Sequence, residues 1–95
     1  MRQKELPLPK AEYWVVRVCR DRWGHIHYAD LNESQQKSLM TFVDRGMMMI
    51  SPTDGAVCDP VDCFDDQETA TNCSVAFAQK YPDDEFRVVL TADIS

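Results

Sequence analysis

The sequence predicts an α+β domain: a small four-stranded sheet, with elements in the order ββαβαβ, and two helices packed on one face of it. Three observations carry the prediction. Two segments combine an acidic or amide cap with apolar residues at helical spacing. Four short segments are β-branched, aromatic or continuously apolar. Gly, Pro and Asp punctuate the joints between them.

Residues 1–11 hold two prolines and mixed charge and read as an extended N-terminal arm. Glu12 to Arg20 (EYWVVRVCR) is the strongest strand segment. Its alternation puts Trp14, Val16 and Val18 on one face and Tyr13, Val15, Arg17 and Cys19 on the other. The first set is wholly apolar and is expected to face the core. Asp21-Arg22-Trp23-Gly24 has tight-turn chemistry, so His25 to Ala29 is expected to return as the second arm of a hairpin.

Asn32, with Gln35 three residues on, forms a capping-box pattern that opens a helix from about Glu33 to Arg45. Leu39, Phe42 and Val43 supply its inner face, and Gly46 sits where a left-handed cap belongs. Met47 to Ile50 is a short buried strand between Gly46 and Pro52. Ser51-Pro52-Thr53-Asp54-Gly55 is a turn, and Ala56 to Phe64 (AVCDPVDCF) reads as loop with a brief extended piece. Asp65, with Glu68 three residues on, caps a second helix through about Lys80, whose inner face is Ala70, Cys73, Phe77 and Tyr81. Pro82 stops that helix, and Glu85 to Thr91 is the last strand. A crossover from the third strand through the second helix to the last strand is open to this order. The expected core is Trp14, Val16, Val18, Leu39, Phe42, Val43, Ile50, Phe77, Phe86, Val88 and Leu90.

A chain of 95 residues, 44% apolar and 27% charged, holds one globular domain and is not disordered in composition. It contains no apolar run of membrane-spanning length. Nor does its first stretch resemble a secretion signal, so a cytoplasmic location is expected. The net charge of −6 is unevenly spread. Residues 1–45 hold eight Lys/Arg against six Asp/Glu, whereas residues 46–95 hold two against ten. No basic residue lies between Arg45 and Lys80.

Four cysteines invite three readings. His25-x-His27 with Cys58-x4-Cys63 supplies a zinc-type ligand set, although the cysteine spacing is looser than in a zinc knuckle. A Cys58–Cys63 disulfide is the second, and free thiols, favoured by a reducing compartment, are the third. As a nucleophile, Cys63 lies near a helix start but among Asp62, Asp65 and Asp66, which disfavour its thiolate. No phosphate loop, nucleophile elbow or HExxH pattern occurs, and the acids do not match a calcium loop. Arg17, Arg20, Arg22, Trp23, His25 and His27, with Lys10, combine cation and aromatic as single-strand binders do, but the net charge opposes phosphate.

These features lead to a small, acidic, non-enzymatic binding protein that inhibits or regulates a larger protein with a basic surface, possessing no cofactor and no direct contact with nucleic acid or membrane. Asp59, Asp62, Asp65, Asp66 and Glu68 are the candidate steering residues. Trp23 is the candidate anchor, unless it folds back on Tyr13. A compact acidic chain without catalytic motifs has the profile of many phage or mobile-element proteins that bind host machinery. The alternatives are a zinc-stabilised structural domain built on His25, His27, Cys58 and Cys63, and a thiol-dependent enzyme.

Overall fold

The computed structural model describes residues 11–93, so the expected arm lies almost wholly outside the described residues. Six strands and two helices follow in chain order: β1 (Tyr13–Val18), β2 (Arg20–Asp21), β3 (Gly24–His25), α1 (Glu33–Asp44), β4 (Met49–Ile50), β5 (Val57–Phe64), α2 (Gln67–Lys80) and β6 (Phe86–Leu90). A single 3-10 turn at Tyr28–Asp30 lies between β3 and α1, and another at Thr91–Asp93 follows β6. The α+β class holds. The expected ββαβαβ order is met only in part: along the chain it is βββαββαβ, and in space β4, β5, β1 and β6 lie side by side, each antiparallel to its neighbour, in one curled sheet.

The hairpin is shorter than its sequence implies. β2 and β3 pair Arg20 with His25 and Asp21 with Gly24, in a ribbon separate from the main sheet. The Asp21 side chain accepts from the Trp23 N–H at 2.9 Å, and Gly24 takes φ of 125°, so the turn forms as its residues dictate. After His25 the chain makes one bridge, His27 to Ala56, and enters the 3-10 turn instead of a second long strand.

The largest correction concerns residues 57–64, expected as loop and found as the longest strand. β5 pairs with β1 from Tyr13↔Phe64 to Val18↔Cys58, with a bulge between Val15 and Val16 that inserts one residue of β5. The bulge hides the pattern. Cys58 and Cys63, five residues apart, lie opposite Val18 and Trp14 on the same face, which an unbroken two-residue period forbids. Pro60 is tolerated for a geometric reason. The Cys19 N–H donates to the Val57 carbonyl, so in the alternating ladder the Pro60 nitrogen points away from β1. β4 covers that outer side only at Val57 and Cys58, so no ladder bond is lost.

β5 and β6 both run antiparallel to β1, hence parallel to each other with β1 between them. α2 is the crossover joining them. The expected crossover therefore exists but starts from β5, not from the 47–50 strand.

Both faces of the sheet are buried, also against expectation. Phe86 touches the rings of Phe77 on α2 and of Tyr81 at its C-terminal cap, at centroid distances of 5.4 and 6.4 Å, and it lies opposite Arg17. The α2 face is therefore the face of Tyr13, Val15 and Arg17. Val15 and Ala70 are fully buried there. The other face gathers Trp14, Val16, Val18, Met49, Ala56, Cys58 and Val89 into a separate cluster, with Cys63 packed against it. The 51–54 turn folds toward that face and is tied to it by Arg87, which donates to Ser51 and Asp54.

Two helices on one face is likewise corrected. α2 packs against β1, β5 and β6, and α1 makes no comparable contact with any strand. The α1 capping box forms as expected: Asn32 accepts from the Gln35 N–H, and Gln35 accepts from the Asn32 N–H. Gly46 takes φ of 76° just beyond the helix. Leu39 is the helix's one buried residue, while Phe42 is 42% exposed. The core therefore keeps Trp14, Val16, Val18 and Leu39. Val43, Ile50, Phe77, Phe86 and Val88 are half-buried, and Phe42 and Leu90 are exposed.

Candidate interaction surface

At the end of the sheet where β1 gives way to the β2–β3 ribbon, Trp23 stands 83% exposed at the hairpin tip. It does not fold back on Tyr13, which lies at the far end of β1. A two-residue loop between paired strands holds it out, and the Arg22 guanidinium covers its ring at 5.1 Å. The ribbon is braced from the side. Arg20 donates to the Asp83 carbonyl at 3.0 Å, and His25 Nε2 lies 3.0 Å from Glu85.

That brace continues inward. Glu85 accepts from Arg87 Nε at 2.7 Å, and Arg87 Nη1 donates to Asp54 at 2.9 Å and Ser51 at 3.2 Å. Asp54 also accepts from the Ala56 N–H. The Arg87 hydrogen bond, joined by that amide, lowers the Asp54 carboxyl to about 2. The same hydrogen bond holds the Arg87 guanidinium above its ordinary range. A chain of polar contacts, His25–Glu85–Arg87–Asp54, thus links the ribbon, β6 and the 51–55 turn. The sequence reading missed it, because its members lie up to 62 positions apart and only folding brings them together. The one available signal was Arg87, with Lys80 one of only two bases among the acids of the second half of the chain.

The expected acidic surface divides into two. Asp59 lies mid-strand opposite Arg17 and is held by it at 2.6 Å, so it is spent within the fold. Asp62, Asp65, Asp66 and Glu68 are exposed where β5 passes into α2, at the end of the sheet opposite Trp23. Two of these carry local duties. Asp62 accepts from the Cys63 N–H. Asp66, not Asp65, is the α2 cap, accepting from the Thr69 N–H at 2.8 Å and from its hydroxyl at 2.9 Å. Those bonds depress the Asp66 carboxyl. Asp65 and Glu68 have no side-chain partner of this kind among the described residues.

The zinc set is not assembled. His25 faces Glu85, His27 Nδ1 lies 3.9 Å from Asp30, and Cys58 is buried with its thiol toward the Ala56 carbonyl. Cys58 and Cys63 are separated along one extended strand by roughly 15 Å, too far for a shared ion or a disulfide. Among the described residues no three His, Cys, Asp or Glu side chains converge to hold a metal.

The thiols are no better placed as nucleophiles. Burial pushes Cys58 up to about 11. Burial also raises Cys19, Cys63 and Cys73, helped by Asp59 at Cys19, by Asp62 and Asp65 at Cys63, and by Asp62 at Cys73. The apolar crevice beneath Met49, Pro52 and Val89 has no room for a water molecule. No helix among the described residues is long and apolar enough to cross a membrane. Comparison with protein-family models, with curated proteins and with solved structures returned no match.

Proposed function

We propose that this chain is a non-enzymatic binding protein that docks on a larger protein, as an inhibitor or regulator, with Trp23 as its anchor. The observation that carries the reading is the exposure of Trp23 on a hairpin braced through Arg20 and His25. A large aromatic ring held outward by a fixed backbone loses little entropy on binding and buries a large area. The exposed acids Asp62, Asp65 and Glu68, at the other end, steer the chain toward a basic partner and raise the encounter rate. Thiols held protonated agree with a role that does not depend on nucleophilic catalysis.

The test starts from a partner captured by cross-linking to the full chain. Trp23→Ala is expected to weaken binding at least about 30-fold, mainly through faster dissociation, as at an aromatic hot spot. Charge reversal of Asp62, Asp65 and Glu68 to Lys spares the Asp66 cap and the Asp59–Arg17 pair, and is expected to slow association and flatten its salt dependence. Wild-type binding by both variants overturns the reading.

A further inference from the structure

We propose that two copies of this chain associate edge to edge through β6, about a two-fold axis at Val88, merging their sheets into one. Among the described residues, β6 pairs with β1 alone. The Val18 N–H donates to the Glu85 carbonyl and the Thr91 N–H to the Glu12 carbonyl. This fixes the alternation: Glu85, Arg87, Val89 and Thr91 turn their backbone groups toward β1. Phe86, Val88 and Leu90 turn theirs outward, where no strand among the described residues meets them.

The two edges of the sheet differ in kind. On the β4 side the outer strand is two residues long, and beyond it β5 presents Pro60, a bulge and the charge of Asp62. Short strands, Pro, bulges and charges are the features that prevent edge pairing. β6 is longer and has no Pro or bulge. Its five residues, Phe-Arg-Val-Val-Leu, hold no Pro, Gly or bulge, and the charge of Arg87 is engaged by Glu85 and Asp54.

The strand is also self-complementary. Antiparallel pairing about Val88 sets Val88 against its own copy and Phe86 against Leu90, so every outward-facing backbone group meets another. Each such pair exchanges two hydrogen bonds, about six in all. Phe86, Val88 and Leu90 share the α2 face, where Leu90 is 38% and Tyr81 44% exposed, so each Leu90 gains the partner's Phe86 as an apolar neighbour. Arg87 falls opposite Val89 and Glu85 opposite Thr91, so no like charges meet across the seam. The occupant this edge fits best is therefore a second copy in the same register. The net charge of −6 per copy opposes approach, so association strengthens with salt, the reverse of docking on a basic protein.

The experiment is sedimentation equilibrium of the full chain, from micromolar to near-millimolar concentration, at low and high salt. Two variants accompany the wild type. Val88→Pro deletes an outward N–H without touching the β1 ladder. Leu90→Lys places a charge at a position already partly exposed, and serves if the proline variant fails to fold by circular dichroism. The expected result is a mass that doubles with concentration, at lower concentration in high salt, and stays monomeric in whichever variants are folded. A wild-type chain that stays monomeric throughout overturns the proposal and leaves the edge to a foreign extended peptide. A dimer that survives in folded Leu90→Lys also overturns it. Neither outcome bears on Trp23, so this proposal fails or stands apart from the one above.

Discussion

Replacing Val15 with Ala tests the two-sided burial of the sheet. Val15 is fully buried beneath α2, on the face opposite the one that the all-apolar set Trp14, Val16 and Val18 was expected to turn to the core. The substitution removes two methyl-sized groups, worth about 0.8 kcal/mol each in transfer free energy. A residual cavity adds to this, because Val15 is fully enclosed and its surroundings relax only partly. The expected cost is roughly 2–3 kcal/mol, close to that of Val16→Ala on the opposite face. Val75→Ala, at a position 49% exposed on α2, is the control and is expected to change stability by less than about 0.5 kcal/mol. Urea unfolding followed by circular dichroism reads the difference, since 2–3 kcal/mol lowers the midpoint by roughly 1–2 M for a domain of this size. If Val15→Ala shifts the midpoint no further than Val75→Ala, the placement of α2 on the Val15 face is wrong.

The remaining predictions follow from the polar contacts and the thiols. Asp66→Ala is expected to lower the melting temperature measurably and Asp65→Ala to leave it unchanged, since only Asp66 bonds the Thr69 amide. Asp54 is held at about 2 in the fold, below its unfolded value, so the stability it contributes is present above about pH 4 and is lost as pH falls toward 2. Asp54→Asn is expected to flatten the acid limb of a stability–pH profile in that window, and an unchanged limb refutes the assignment. Cys58, buried and pushed up to about 11, is expected to be the last thiol labelled at mildly alkaline pH, with Cys63 modified well before it. Mass spectrometry of the labelled peptides over time gives the order.

How much of this molecule was legible varies by element. The α1 cap at Asn32 and Gln35, the Gly46 and Gly55 turns, and the positions of β1 and β6 follow from contacts within a few residues, which sequence records directly. β5 was illegible because its bulge breaks the period of two, and because Asp59, Pro60 and Asp62 resemble loop residues wherever the neighbouring strand is unknown. The acidic stretch was read as one surface, yet pairing with β1 put Asp59 against Arg17, while Asp62, Asp65, Asp66 and Glu68 stayed in solvent. Trp23 was legible as a turn residue but not as an exposed one, since exposure depends on what the rest of the chain leaves uncovered.

By itself, the sequence determined the α+β class, both helices, the turns and the charge imbalance. Each is set by propensity, capping or composition, whose range is a few residues or none. Only the tertiary structure decided which strands are neighbours, which face α2 covers, and that the four candidate zinc ligands stay apart. These depend on register. A single inserted residue in β5 moves Cys63 onto the same face as Cys58 while the strand's length keeps the two thiols apart, and no local preference in either segment records that choice.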